Sequence, residues 1–251
     1  MINIILSGCN GKMGQVIAAM LNEDSEAKVV FGYDINTEKK NSFPVVSDFN
    51  DTTLCGDVVI DFSNVSGFDT VADYCERTAT PLVMATTGLS DEQKERLTAL
   101  SEKTAVFFSA NMSIGVNLLI GLVKKAAAVL GDSFDVEIVE KHHNQKLDAP
   151  SGTALMIADE ISGVFDGGKQ YVYDRHSVRR KRRTDEIGIH SVRGGTIVGE
   201  HDVIFAGKDE VVEIKHMAQS REVFAVGSIR AAKFLCGKES GMYDMSDIIS
   251  Q

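Results

Sequence analysis

Residues 2–23 read INIILSGCNGKMGQVIAAMLNE: an apolar run that ends in glycine, a glycine triplet at Gly8, Gly11 and Gly14, and then Val16, Ile17, Met20 and Leu21 at helical spacing. The pattern passes from a buried strand to an amphipathic helix across a turn of glycines. Such a unit aims backbone N–H groups and the positive end of the helix at one point, and glycines let a pyrophosphate approach the main chain. The spacing is G-x-x-G-x-x-G. Asp34 stands 20 residues after Gly14 (34 − 14), at the end of the next apolar run, AKVVFGYD, where its carboxylate can accept hydrogen bonds from ribose hydroxyls. The bland alternative is a tight turn followed by an exposed aspartate. Cys9 and Met13 read as packing residues of the loop.

Outward from this stretch the alternation continues. DVVIDFS (57–63) reads as a buried strand, VADYCERT (71–78) as a helix and PLVMATTG (81–88) as a strand, which implies right-handed crossovers and a parallel sheet covered on both faces. The segments ATTG and SANMS follow strands of this sheet. Ala85, Thr86 and Thr87, with Ser109, Ala110, Asn111 and Met112, therefore border the carboxyl ends where ligands bind, although Thr87 and Ser113 read equally well as helix caps. After AVFFSANMS (105–113) the character changes: a long helix, GVNLLIGLVKKAAAVLG, leads to FDVEIVEKHH, and from residue 187 valines and isoleucines alternate with polar residues in an antiparallel pattern. The helix EVFAVGSIRAAKFLC (222–236) is expected to pack back on the first domain.

The chain has 251 residues, 43% apolar and 25% charged, enough for one or two domains with real cores. A formal net charge of −10 argues against a nucleic-acid partner. No apolar run is read as approaching the ~20 residues that span a bilayer, and the start turns to glycine too early for a signal peptide. Cys9, Cys55, Cys75 and Cys236 lie far apart without a C-x-x-C pair, as expected of reduced thiols in a cytoplasm. One basic run, RHSVRRKRR (175–183), reads as a solvated loop; the functional alternative is steering of anionic ligands.

The densest chemistry lies in EKHHNQKLDAPSGTA (140–154). Pro150 precedes Ser151, Gly152 and Thr153, the expected first turn of a helix whose N–H groups attract an anion such as a carboxylate. His142, His143 and Lys146 stand just before it. Histidine titrates near neutrality and can deliver a proton during reduction of a polar double bond, while lysine supplies a fixed charge or a second donor. A metal site is a poor reading, because neighbouring side chains in a strand diverge and no further ligand completes it. A dinucleotide-sensing regulator would have no use for this cluster. An amino-acid or aldehyde dehydrogenase on the same first domain would be favoured by a cysteine within 114–218, and there is none.

This segment, together with GCNGKMG, DFS, ATTG, ANMSIGVN, RGGTIVGEHDVIFAG, EIKHMAQSREVFA and GKESGMYDM, closely resembles the 4-hydroxy-tetrahydrodipicolinate reductase family over essentially the whole chain. The resemblance implies an α/β fold: a Rossmann-like parallel-sheet domain, residues 1–113 plus 219–251, and an α+β domain, residues 114–218, whose mixed or antiparallel sheet binds substrate and builds a homotetramer. It implies His142 as acid/base and Lys146 as second proton donor, with His143, Ser151, Gly152 and Thr153 on the substrate carboxylates. Gly8, Cys9, Asn10, Gly11, Lys12, Met13, Asp34, Ala85–Thr87 and Ser109–Met112 would contact NADH or NADPH. The family more often has arginine at Lys12, glycine at Ala85 and phenylalanine at Met112. The implied reaction delivers hydride to C4 of the ring after the 4-hydroxyl has left, in lysine and diaminopimelate biosynthesis. Asp34 argues for NADH, against which stand Lys12, Lys39 and Lys40.

Overall fold

The computed structural model describes residues 1–39 and 41–250, so Lys40 lies outside the described residues. The chain divides into two compact units, Met1–Ile114 with Glu222–Gln251, and Gly115–Arg221.

In the first unit, strands β1 (Ile2–Ser7), β2 (Ala27–Tyr33), β3 (Val45–Val46), β4 (Val58–Asp61), β5 (Leu82–Met84) and β6 (Ala105–Phe108) alternate with helices α1 (Lys12–Asn22), α2 (Phe68–Thr78) and α3 (Asp91–Ser101). The carboxyl-terminal segment adds the later helix Glu222–Leu235, the strand Gly241–Tyr243 and the helix Met245–Ile249. The sheet runs β3-β2-β1-β4-β5-β6 and ends on strand Gly241–Tyr243, with every pair parallel. Side-chain alternation along β1 feeds two cores. Ile4 and Leu6 pack with Ile17 and Leu21 of α1 and with Ala225, Ile229 and Leu235, whereas Ile5 packs with Val71, Cys75, Leu97 and Leu100 of α2 and α3. Ile4, Ile5 and Leu6 are fully buried, each worth roughly 1.5–3 kcal/mol, which is why the strand reads as a continuous apolar run.

In the second unit the chain runs α4 (Ile114–Leu130), β7 (Asp135–His142), α5 (Gly152–Ser162), β8 (Gln170–Val172), β9 (Glu186–Arg193), β10 (Gly199–Ala206) and β11 (Val211–Ala218). In chain order the carboxyl-terminal elements of the first unit are then α6 (Glu222–Leu235), β12 (Gly241–Tyr243) and α7 (Met245–Ile249). The second sheet is mixed, in the order β11-β10-β7-β9-β8. Of the mixed or antiparallel sheet expected, the mixed form is found: β10 is antiparallel to β7 and β11, in keeping with the alternation after residue 187, and β9 lies parallel to β7. The connection from β7 to β9 is long enough to carry α5, and such a crossover returns the chain in the same direction. One face of this sheet packs on α4 and α5 through Leu119, Val123, Val136, Ile138, Ile157, Ile161, Val203 and Phe205.

Two expectations change. The segment Ile114–Ser133 is long and apolar enough by composition to cross a membrane, contrary to the reading that no run approaches that length. It carries Lys124 and Lys125, and Leu119, Val123 and Ala127 are spent on the core of the second unit. The basic run is tied down by carboxylates. Arg182 bonds Asp135 at 2.6 Å, Glu137 at 2.9 Å and the carbonyls of Val136 and Glu186, and Arg175 bridges Glu137 and Glu186. These arginines fasten the 175–183 loop to β7 and β9, which removes most of their charge from any steering role.

Arg182→Ala is expected to lower stability by about 2 kcal/mol or more, since several charge-assisted bonds lose their donor at a side chain only 17% exposed. Arg183→Ala, at a pair 59% exposed on the arginine side, should leave stability close to that of the unaltered chain. Urea unfolding of both variants separates the clamp from the surface pair; equal costs would return the whole run to solvated loop.

Candidate active site

In the first unit the glycine loop is shaped by space. Gly8 has φ +75°, and a Cβ there would lie 2.5 Å from the Phe62 carbonyl oxygen; at Gly14 it would lie 2.1 Å from the Gly8 oxygen. Only glycine lets α1 start this close to the turn. Gly11 caps α1 with no side-chain bond, so the first-turn N–H groups face outward without a competing side chain. The Asp34 carboxylate accepts from Asn10 N at 2.9 Å and Asn36 N at 3.0 Å and retains lone pairs for further donors. Gly8, Asn10, Gly11 and Asp34 line one cavity of about 330 Å³ together with Tyr33, Ile35, Asn36 and the 62–67 turn. The glycine cradle and the carboxylate fit a nicotinamide dinucleotide.

The other expected cofactor residues divide. Lys12 is exposed, while Met13 and Met112 pack in the core. Cys9 is fully buried against Gly32, and burial pushes its thiol up to about 12, so only its backbone is offered to a ligand. Thr86 is buried, and its hydroxyl donates to Asp61 at 2.5 Å. Asp61 also takes the Ser7 hydroxyl at 2.6 Å and the Ser63 hydroxyl at 2.7 Å, which ties the carboxyl ends of β1 and β4 to the loop after β5. Burial raises its carboxyl, and the hydroxyls act the other way. Ala85 is buried, Thr87 and Ala110 are exposed, and Ser109 donates to the Asn111 carbonyl at 2.8 Å. None of residues 85–87 or 109–112 lines the 330 Å³ cavity. Asn36 and the 62–67 turn were not expected in it; the DFS run at the end of a buried strand was the available signal.

In the second unit, Val136, Ile138, Glu140 and His142 alternate onto the α5 side of β7. Glu140 is fully buried where that alternation calls for an apolar residue. Its Oε1 accepts from Arg193 Nη2 at 2.7 Å and Ser151 N at 3.1 Å, and its Oε2 accepts from Arg193 Nη1 at 2.8 Å. Oε2 is also 2.6 Å from His142 Nδ1. Burial works to raise this carboxyl, but the Arg193 fork, His142 and the Ser151 N–H outweigh it and hold it at about 2. An ionised carboxylate only accepts, so Nδ1 of His142 carries its proton and Nε2 is the open nitrogen. A Cβ at Gly199 would lie 3.1 Å from that Nε2; the glycine leaves it room. Burial lowers the His142 pKa, with Glu140 opposing and Lys146 and Arg193 assisting.

Ser151 caps α5, its hydroxyl accepting from Ala154 N at 3.2 Å. The same hydroxyl is 3.1 Å from Nε2 of His201, a buried histidine that the sequence reading missed and that the β10 alternation GEHDVIFA could have exposed. The His142 and His201 rings meet edge-on at 5.4 Å. Lys146 pairs with Asp148 at 2.9 Å, and its N–H closes a turn onto the His143 carbonyl. Structure thus gathers His142, Ser151 and Lys146 with Glu140, Arg193 and His201, and puts Gly152 at an exposed helix start. Among the described residues no group of three or more His, Cys, Asp or Glu could hold a metal ion.

Two family models, described as dihydrodipicolinate reductase, N-terminus, and dihydrodipicolinate reductase, C-terminus, match residues 2–112 and 115–249. The chain belongs to the dihydrodipicolinate reductase family. It is 53% identical over 251 residues to the 4-hydroxy-tetrahydrodipicolinate reductase of Caldanaerobacter subterraneus subsp. tengcongensis, covering 100% of this chain and 99% of that one. With the enzyme of the same name from Clostridium tetani it shares 46% over 250 residues, covering 100% and 98%. Among solved structures, a dipicolinate-bound dihydrodipicolinate reductase from Paenisporosarcina sp. TG-14 superposes with TM-score 0.82 at 27% identity, covering 99% of each chain. A probable dehydrogenase from Thermotoga maritima, at TM-score 0.63 and 11% identity, shares the fold. The dihydrodipicolinate reductase family is one of nicotinamide-dependent oxidoreductases in lysine and diaminopimelate biosynthesis.

Burial, with His142, His216 and Lys146 adding to it against Glu140, lowers His201 to about 4. A histidine held below its unfolded value near 6.5 contributes stability that is complete above that value and is lost as pH falls toward 4. The loss is expected to be on the order of 3 kcal/mol. His201→Gln should flatten the stability curve between those two values; urea unfolding across that range checks it, and an unchanged slope would assign the acid sensitivity elsewhere.

Proposed function

We infer that the chain catalyses the nicotinamide-dependent reduction of 4-hydroxy-tetrahydrodipicolinate to tetrahydrodipicolinate. The first unit binds the cofactor and the second binds the dicarboxylate substrate. The observation that carries the reading is His142 held through Nδ1 by buried Glu140, with the α5 N-terminus fastened to the same carboxylate. Bound at the glycine loop, the dinucleotide supplies hydride to the ring. Ser151, Gly152 and Thr153 receive one substrate carboxylate at the helix start, with His143 nearby, and Lys146 exchanges Asp148 for the other. His142, its ring fixed in one orientation, offers Nε2 as the proton donor when negative charge develops on the ring, with Lys146 as second donor. The relative from Paenisporosarcina is dipicolinate-bound, and dipicolinate is a planar ring dicarboxylate.

The finer points follow from the same residues. Asp34 favours NADH because its charge repels a 2′-phosphate. Lys39, whose Nζ lies 2.5 Å from the Asn10 carbonyl oxygen, offsets part of that repulsion. NADH is therefore used at least as well as NADPH. The open face of the second sheet, with Val211 and Met217 half exposed on β11, supports assembly into a homotetramer. Four free cysteines, two of them buried, suit the cytoplasm.

His142→Ala and Lys146→Ala should each lower kcat by on the order of a hundredfold or more, followed as loss of reduced-nicotinamide absorbance with freshly generated 4-hydroxy-tetrahydrodipicolinate. Near wild-type kcat in both would detach the chemistry from this segment. In the same assay Asp34→Ala should move the kcat/KM ratio toward NADPH by about tenfold, or ~1.4 kcal/mol, and Lys39→Ala should move it the other way. A wild-type preference for NADPH beyond tenfold would reverse the role given to Asp34.

A further inference from the structure

His142 meets charged or titratable side chains from the elements around it. On its own strand, Glu140 Oε2 is 2.6 Å from Nδ1. From β9, Arg193 lays both terminal nitrogens on the same carboxylate and also donates to the Asp148 carbonyl at 2.7 Å. The loop after β7 brings Lys146, paired with Asp148. From β10 come the His201 ring and uncharged Gly199; His216 of β11 stands opposite His201 in the ladder.

The charges balance before His142 is counted. Glu140 is matched by Arg193 and Lys146 by Asp148, so a neutral imidazole leaves the cluster neutral. Were Glu140 and His142 alone, a buried carboxylate 2.6 Å from an imidazole would draw a second proton onto the ring near neutral pH. Arg193 removes that pull while leaving Glu140 free to accept from Nδ1. A second proton on Nε2 then adds unmatched positive charge, and it needs an anion to hold it. A ligand with two carboxylates supplies that anion.

We propose that Arg193 is a positioning residue that keeps His142 in the neutral, Nδ1-protonated form until a dicarboxylate binds, so that the substrate itself charges the acid. The Nε2 lone pair takes a proton from solvent as the ligand enters; the imidazolium later gives that proton to the reduced substrate and returns to the neutral form, with no change in electron count. The lowered His142 pKa in the free protein agrees with this. The inference rests on the second unit being the dicarboxylate site.

The test is calorimetric titration of the full-length protein with pyridine-2,6-dicarboxylate, an unreactive probe, at neutral pH in two buffers of different ionisation enthalpy. Nitrogen-15 histidine spectra run alongside, with His142 assigned through His142→Gln. Wild type should take up close to one proton per probe, and His142→Gln none. In Arg193→Gln the His142 titration should move up by on the order of one unit, and uptake should fall by half or more. Arg193→Lys, which keeps the charge, should retain the uptake, and it stands in should Arg193→Gln fail to fold. Binding without proton uptake in wild type, or uptake and titration unchanged in Arg193→Gln, overturns the role of Arg193 and leaves the proposed function standing. Absence of probe binding in wild type overturns both, the substrate site first.

Discussion

Burying an ionised carboxylate costs several kcal/mol unless its lone pairs are filled, and Glu140 fills them from three directions. Arg193 from β9, Ser151 N at the start of α5 and His142 Nδ1 from its own strand all converge on two oxygens. Each partner is thereby placed. Arg193 in turn holds the loop of Lys146 and Asp148 through the Asp148 carbonyl, and Ser151 passes the order on to the first turn of α5 and to His201. Remove the carboxylate and His142, the start of α5 and the loop between them lose their common reference. A core of isoleucine and valine beneath it, Ile138 and Val203 among them, keeps water from competing for the same lone pairs.

Asp61 does comparable work in the first unit, but with hydroxyls in place of a guanidinium. Ser7, Ser63 and Thr86 come from two strand ends and the loop after a third. They hold the carboxyl edge of the sheet in register without placing a net cation there. The contrast suits the two tasks proposed for the units: a dinucleotide brings its own charge to backbone N–H groups, whereas a dianionic ring needs cations fixed in advance.

How much of this could be read from the sequence depended on distance along the chain. The glycine turn and Asp34 were legible because strand, turn and helix are local and the required φ and close contacts permit only glycine at Gly8 and Gly14. His142, Lys146 and Ser151 were legible because ten consecutive residues carry them. Arg193 was not, although RGGTIVGEH was noted, because it stands 53 residues from Glu140 and meets it only through the parallel β7–β9 ladder that pairs His142 with Arg193. The alternation after residue 187 signals antiparallel pairing and carries no sign of that parallel ladder. Glu140 was seen but given no task; its place in the apolar alternation of β7 acquires meaning once α5 is known to cover that face. The 62–67 turn lines the glycine-loop cavity for a similar reason: β4 lies beside β1 in the sheet though not in the chain.

The first unit is assembled from both ends of the chain, with the second inserted as one unbroken segment. During synthesis from the amino terminus, Ile4, Leu6, Ile60 and Val83 therefore emerge without Ala225, Ile229 and Leu235, their partners on α6, while every strand of the second sheet has been made by Ala218. The ribosome must complete the second unit before it can close the first, and an apolar sheet face waits uncovered for the length of the intervening translation.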